Sequence, residues 1–307
     1  MKHTLKATVI ILLMFLITQF IGLYVVGHYL DSSNTLPYGM DSPEIDNANY
    51  APNFLSIVIA FVIAIAIFFV LTKFKARFVM RIWFLIVVLL ALGVTIVAII
   101  SPLLPQFKYL GFLALILALP LTLSKIYSRN MISHNFTELL IYPGIAAIFV
   151  PLLNVIFLIV LLVLISLYDA WAVWKSGIMQ KMAKFQMEQL KVFGGFMIPY
   201  LSKSQWQKVK KMRNKDKLKL DSKKLPIKVN VAILGGGDVV FPIISAGVLY
   251  KIWGAISIWP AILVIIGALL GLGLLMAFAK KKMYPAMPFI SAGILLSMGI
   301  SYLVWVV

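Results

Sequence analysis

Two aspartates, Asp169 and Asp238, lie inside long segments of the sequence that are otherwise apolar. An ionised carboxylate at the centre of a membrane helix costs about 2.5–3.5 kcal/mol or more, so an acid found there usually has a function. Two carboxyl groups a few ångströms apart cannot both ionise, and they share a proton. One can then activate a water molecule while the other, protonated, polarises a carbonyl group, which is a chemistry of hydrolysis.

The residues around each aspartate give a first indication of its role. Asp169 follows Tyr168, and Asp238 follows the run Gly235–Gly237, with Pro242 four residues later. A proline at that distance cannot donate to the carbonyl of Asp238, so the helix is loosened there, and the glycines let another chain approach. On position alone, proteolysis and a proton or ion relay in a transporter are about equally supported, and a structural polar pair is a third alternative.

The composition excludes several other classes of site. The chain has no cysteines, so disulfides, zinc–thiolate sites and a cysteine nucleophile are ruled out. Serine–histidine and zinc proteases would need a histidine within a span. The three histidines lie outside the predicted spans, namely His3, His28 and His134. We therefore expect no metal and no cofactor. The net charge is +18, but the cations cluster between apolar segments, so we expect no nucleic-acid partner.

The apolar segments predict an all-α integral membrane protein. Hydrophobic residues make up 62% of the 307 residues and the mean hydropathy is +1.01, whereas soluble domains are roughly 45–50% apolar. A membrane span needs about 20 apolar residues. The nine predicted spans are Ala7–Gly27, Phe54–Thr72, Ile82–Ile100, Leu110–Leu123, Leu139–Leu152, Val155–Trp174, Val229–Tyr250, Ile256–Phe278 and Pro285–Val307.

The basic residues predict the orientation of these spans. If the N-terminus is cytoplasmic, every Lys and Arg except Lys108 and Lys251 falls on the cytoplasmic side, as the positive-inside rule requires. Nine spans then place the C-terminus on the opposite side. On this topology Glu138 lies at the start of the fifth span, near the aqueous face.

The charge pattern also divides the chain into three parts. We predict a six-helix membrane domain (1–175), a basic cytoplasmic linker (176–228) and a three-helix membrane domain (229–307). Within the linker, the ten apolar residues Val192–Leu201 are too short for a span. We interpret them as a segment in the membrane interface, with a dip into the protein as the alternative.

The two aspartates are expected at comparable depths. Asp169 lies six residues before Lys175, and Asp238 lies ten residues after Lys228. At the helical rise, these spacings place the acids about 9 Å and about 15 Å from the cytoplasmic boundary. Because the sixth and seventh spans are consecutive and antiparallel, the two carboxyl groups can face each other.

Three motifs in this order resemble the signatures of a known family. The motifs are Tyr168-Asp169, Gly235-x-Gly237-Asp238 and Pro285-Ala286-Met287-Pro288. They are similar to the motifs of the presenilin and signal peptide peptidase family, whose third motif is Pro-Ala-Leu at the start of the ninth helix. Methionine in place of leucine conserves volume. The short loops and tails look like those of a microbial, archaeal member.

This resemblance implies an intramembrane aspartyl protease, with Asp169 and Asp238 catalytic. Its substrates would be single-span transmembrane proteins or peptides, and the enzyme would be a multi-pass protein of the lipid bilayer, in the cell membrane if microbial. The sequence does not specify natural substrates, cleavage sites or oligomeric state, and homo-oligomerisation is left open. The residues implied to shape the site are Tyr168, Gly235, Gly237, Pro285, Ala286, Met287 and Pro288.

The third motif has two interpretations. In the first, Pro285 and Pro288 keep their segment non-helical, so that the N–H groups of Ala286, Met287 and Phe289 can pair with an unwound substrate. In the second, the two prolines only begin the ninth helix, because proline is well tolerated in a first turn. The resemblance favours the first.

Overall fold

A computed structural model describes residues 5–31, 34–40, 50–74, 76–105, 107–127, 130–176, 193–200, 230–254, 257–278 and 284–305. Over these ranges the chain forms nine α-helices and one two-stranded antiparallel sheet. The helices are α1 (Leu5–Leu30), α2 (Tyr50–Lys73), α3 (Arg77–Ile100), α4 (Leu110–Tyr127), α5 (Met131–Phe149), α6 (Val155–Trp171), α7 (Gly236–Trp253), α8 (Trp259–Phe278) and α9 (Met287–Trp305). The strands are β1 (Gly195–Tyr200) and β2 (Asn230–Gly235).

The helices follow the predicted apolar segments in order. Within the described part of the chain, seven of them are long and apolar enough to cross a membrane, namely α1, α3, α4, α5, α6, α8 and α9. Helices α2 and α7 occupy the other two predicted spans. The fold is therefore that of a multi-pass helical membrane protein, while the count of nine spans and the positions of the termini stay predictions.

The long apolar stretch between the fifth and sixth spans divides where the sequence predicts. Helix α5 ends at Phe149, and a 3₁₀ turn over Val150–Leu152 follows it. The side chain of Asn154 then caps α6 by accepting a hydrogen bond from the Phe157 N–H at 2.9 Å. Such a cap satisfies one of the N–H groups that a new helix leaves without a partner.

The seventh predicted span was wrong at its start, because Asn230–Gly235 is strand β2 and not helix. β2 pairs antiparallel with β1, with Gly195 opposite Gly235 and Tyr200 opposite Asn230. A short apolar run suits a buried strand as well as a helix. The decisive factor is the partner strand β1, which supplies hydrogen bonds to backbone that would otherwise have none.

Strand β1 also corrects the interpretation of Val192–Leu201. Its described residues, 193–200, pack into the protein, and the side chain of Phe196 is completely buried. Of the two alternatives for this segment, the structure therefore supports the dip into the protein and not the interfacial segment. Non-helical backbone is tolerated at membrane depth only where protein surrounds it.

Glycines of α8 bring α9 into close backbone contact. A Cβ atom at Gly271 would collide with the carbonyl oxygen of Phe289, and one at Gly267 would collide with that of Gly293. Small residues at helix interfaces allow such approach in membranes. Because Phe289 lies in the first turn of α9, this packing fixes where α9 begins.

We predict that Gly271→Ala lowers the thermal unfolding midpoint of the detergent-purified protein, whereas Gly273→Ala does not. The first adds a methyl group against backbone, and overpacking of this kind typically costs about 1–3 kcal/mol. Gly273 is the matched control on the same helix, because a Cβ atom there meets nothing within 4 Å. Equal midpoints for the two variants would contradict the packing described.

Candidate active site

Asp169 lies near the C-terminal end of α6 and is 6% exposed. Its Oδ2 atom accepts a hydrogen bond from the backbone N–H of Met287 at 3.0 Å, and the N–H of Ala286 lies next to the same carboxyl group. Met287 is the first residue of α9, so its N–H has no acceptor within that helix. The carboxyl group therefore caps α9 and sits at the positive end of that helix dipole.

Asp238 is the third residue of α7 and is partly buried. Gly235, in an extended conformation, is the N-cap residue of this helix. The backbone N–H of Gly235 lies next to the carboxyl group of Asp238, and a Cβ atom on Gly235 would lie 3.2 Å from its Oδ2 atom, as expected where an acid in a first turn reaches back to the N-cap. Asp238 is thus held by the chain segment that immediately precedes it.

The two carboxyl groups lie close enough to interact electrostatically. The helices that carry them, α6 and α7, pack against each other and against α9. The structure therefore brings together both aspartates that the sequence indicates and the first residues of the third motif. Tyr168 lies beside them in sequence, but its ring is 44% exposed and neighbours Trp171, with ring centroids 6.3 Å apart.

The expectation for the third motif was wrong in part. Helix α9 begins at Met287, so Met287 and Pro288 are helical and the non-helical residues are Tyr284–Ala286. Proline fits this first turn because the N–H it lacks would have no helical acceptor. The N–H of Met287 is not free for a substrate either, since it donates to Asp169.

Tyr142 of α5 is a neighbour of the site that the sequence analysis missed. Its ring is 4% exposed and covers Gly236, where a Cβ atom would lie 2.8 Å from both Cε1 and Oη of the tyrosine. The same ring meets that of Phe196 edge to face at 5.9 Å. Tyr142 therefore links α5, β1 and the start of α7.

A buried charged cluster behind Tyr142 was also missed. The Nζ atom of Lys125 in α4 donates a hydrogen bond to Oε1 of Glu138 in α5, and Nε2 of His134 lies 3.6 Å from the same oxygen. All three residues are buried. Glu138 is the eighth residue of α5 and is buried in the protein, so it does not lie at the start of that helix, and His134 lies within α5, contrary to expectation. The sequence feature that could have indicated this pair is a base at the end of the fourth apolar segment, Lys125, and an acid at the start of the fifth, Glu138.

The fold and the site define a class of protein: a multi-pass helical membrane protein with an interacting aspartate pair where two helices meet. Residues 12–307 match the family model described as "Signal-peptide peptidase, presenilin aspartyl protease". The chain belongs to this family, and it is accordingly an intramembrane-cleaving aspartic endopeptidase. The run Gly235–Asp238 is consistent with the family's GxGD type.

Solved structures agree with this assignment at the level of the fold. Two crystal forms of a presenilin family intramembrane aspartate protease match with TM-scores of 0.58. The C222 form is 19% identical and covers 97% of this chain and 99% of that chain. The P2 form is 20% identical and covers 96% of each. No curated protein sequence gives a significant match.

We predict that Gly236→Ala lowers both the thermal unfolding midpoint and the activity, because its methyl group would collide with the buried ring of Tyr142. Overpacking of this type costs about 1–3 kcal/mol. Gly237→Ala is the control, since a Cβ atom there meets only the Phe241 ring edge, at 3.8 Å. Its midpoint should equal or exceed that of the wild type. Thermal unfolding that ranked the two variants in the opposite order would refute the crowding at Gly236.

Proposed function

We propose that the chain hydrolyses peptide bonds within or next to transmembrane helices, with Asp169 and Asp238 as the catalytic pair. The observation that carries the proposal is the placement of both aspartates where α6, α7 and α9 pack together, close enough for their carboxyl groups to interact electrostatically. Family membership supports the same pair, because both residues belong to the motifs on which the resemblance rests. Tyr168, Gly235, Gly237 and the Pro285–Pro288 segment shape the site in this proposal.

The proposed reaction needs one proton on the pair. The ionised carboxylate takes a proton from water as the water oxygen attacks the scissile carbonyl carbon, and the protonated carboxyl group donates to the carbonyl oxygen. The tetrahedral intermediate collapses when its C–N bond breaks: the carboxyl group that took the water proton passes it to the departing amine, and the other carboxylate takes a proton from a hydroxyl group of the intermediate, which restores one proton on the pair. The two groups titrate as a pair. The N–H group of Met287 donates to the carboxyl group of Asp169, and the backbone of Gly235 lies against that of Asp238.

The substrate must unwind before it can be cut. A transmembrane helix keeps its carbonyl groups in its own hydrogen bonds, and each backbone group left unpaired in a membrane costs several kcal/mol. We propose that backbone groups of the non-helical residues Tyr284–Ala286 supply partners to the unwound strand. The exposed Gly237 and the partly exposed Asp238 are consistent with access from that side.

The remaining parts of the proposal concern topology. Nine spans, a cytoplasmic N-terminus and a C-terminus on the opposite side would place both aspartates in the cytoplasmic half of the membrane. The parts 1–175, 176–228 and 229–307 would be a six-helix domain, a basic linker and a three-helix domain. Substrates would be single-span proteins or peptides in the bilayer. None of the observations favours the alternative, a transporter that uses the same aspartates as a relay.

We predict that Asp169→Asn and Asp238→Asn each abolish cleavage of a single-span peptide by the detergent-purified protein. General acid–base catalysis alone typically contributes about 10²–10⁴-fold, and each change removes one partner of the pair. The shape of the side chain is kept, so the thermal unfolding midpoint should stay close to that of the wild type. Ser245→Ala, a buried control on α7, should retain the wild-type rate. Substantial cleavage by either Asn variant would disprove the assignment.

We predict that Met287→Pro reduces kcat about 10- to 100-fold, since a hydrogen bond to a charged group is worth about 1.5–3 kcal/mol. Proline at the first position of α9 keeps the helix but removes the N–H that holds Asp169. Met287→Leu is the control, because it keeps the N–H and nearly the same volume. Turnover of the single-span peptide measures both. Equal kcat values for the two variants would show that this hydrogen bond has no part in turnover.

A further inference from the structure

The polar side chains on one face of α5 bind the backbone of a single strand. Nε2 of His134 donates to the carbonyl oxygen of Gly195 at 2.9 Å, at the start of β1. One turn further along the helix, Glu138 holds Lys125, whose Nζ donates to the carbonyl oxygen of Phe193 at 3.3 Å. One contact ends on the first residue of β1 and the other on the residue two positions before it.

Asn135 completes this face with two hydrogen bonds to one residue. Its Nδ2 donates to the carbonyl oxygen of Met197 at 2.8 Å, and its Oδ1 accepts from the N–H of Met197 at 3.0 Å. A side-chain amide that pairs with both groups of one residue takes the place of a neighbouring strand. We call His134, Asn135, Glu138 and Lys125 the β1 clamp.

The strand held by the clamp is the partner of the strand that leads into Asp238. Gly195 pairs with Gly235, and Met197 pairs with Ile233. Gly235 is the N-cap of α7, and its backbone lies against the Asp238 carboxyl group, because a Cβ atom on Gly235 would lie 3.2 Å from Oδ2. A displacement of β1 would therefore shift Gly235, the partner of Gly195, and with it the carboxyl group of Asp238.

Stability alone does not account well for the clamp. A buried ion pair is often no more stabilising than apolar residues of similar volume. In contrast, a two-stranded sheet is marginal by itself, and a sheet at membrane depth needs protein around its backbone. The clamp supplies this support at defined points along β1. Because its hydrogen bonds are directional, they fix the position of the strand and not only its burial.

We propose that the β1 clamp is a positioning device for catalysis: by fixing β1, it sets the location of Gly235 and thereby of Asp238. The clamp residues do not touch the reacting atoms in this proposal. The inference rests on the proposed function, in which Asp238 is catalytic. Misplacement of a catalytic group by about 1 Å can cost on the order of 100-fold in rate.

The test compares His134→Leu with His134→Gln in turnover of a single-span peptide. Glutamine retains an amide nitrogen that can donate to the Gly195 carbonyl, whereas leucine does not. We expect His134→Leu to lower kcat about 10- to 100-fold, with KM changed less than about threefold, and His134→Gln to stay near the wild type. Asn135→Leu provides a second variant that leaves the buried ion pair intact, and it should lower kcat in the same way.

Thr95→Val is the matched control for a general weakening of the packing of α5. It removes a partly buried hydrogen bond from α3 to the carbonyl oxygen of Leu140 in α5, 2.7 Å long, and this bond does not reach β1. It should lower the thermal unfolding midpoint without the loss of kcat. Wild-type kcat in both His134→Leu and Asn135→Leu would overturn the inference, as would an equal loss of kcat in Thr95→Val.

Asp238→Asn, assayed beside these variants, separates this inference from the proposed function. If Asp238→Asn is inactive while the clamp variants turn over like the wild type, the positioning role alone is refuted. If Asp238→Asn remains active, the catalytic pair and the positioning role are refuted together.

Discussion

The hydrogen bond from the Met287 N–H to Asp169 joins elements that are far apart in sequence, and much of the fold serves to keep it in place. It requires that α9 begin beside the end of α6. The close glycine contacts between α8 and α9 fix that starting point, and the hydrogen bond from Ser166 to Ser291, 2.9 Å long, ties α6 to α9 one turn away. A carboxyl group in an apolar setting needs such a donor, and a helix N-terminus is one of the few that the backbone can offer.

The second carboxyl group imposes a different constraint. Asp238 lies in the first turn of α7, so its position depends on how the chain enters that helix. The chain enters as strand β2, whose unpaired backbone would be costly in a membrane. Strand β1, the ring of Tyr142 and the polar face of α5 together surround it. Helix packing thus holds one aspartate, and a small sheet inside the helical protein holds the other.

The sequence was sufficient to predict that the two aspartates come together and in what order the helices follow, because an acid in an apolar segment is costly and an apolar run of about 20 residues is long enough to span a bilayer as a helix. It was insufficient for the sheet, since a run such as Val231–Leu234 suits strand and helix alike until its partner is known. Glu138 was misplaced for a related reason. A buried acid paired with Lys125 has the same hydropathy as an exposed one, so α5, which begins at Met131, was predicted to begin only at Leu139. The close backbone contact at Gly271 leaves no room for a Cβ atom and is made with α9, so no pattern in the sequence around Gly271 predicts it.

The most direct test of the account is mass spectrometry of the products that the purified protein forms from a single-span peptide in ¹⁸O-labelled water. If Asp169 and Asp238 are the catalytic pair, the wild type forms two fragments that meet within or next to the apolar span of the peptide, with ¹⁸O from the solvent in the new carboxyl terminus, and the Asp169→Asn and Asp238→Asn proteins form none. Fragments that meet only far from the span, or labelled fragments formed without one of the two aspartates, would contradict this proposal.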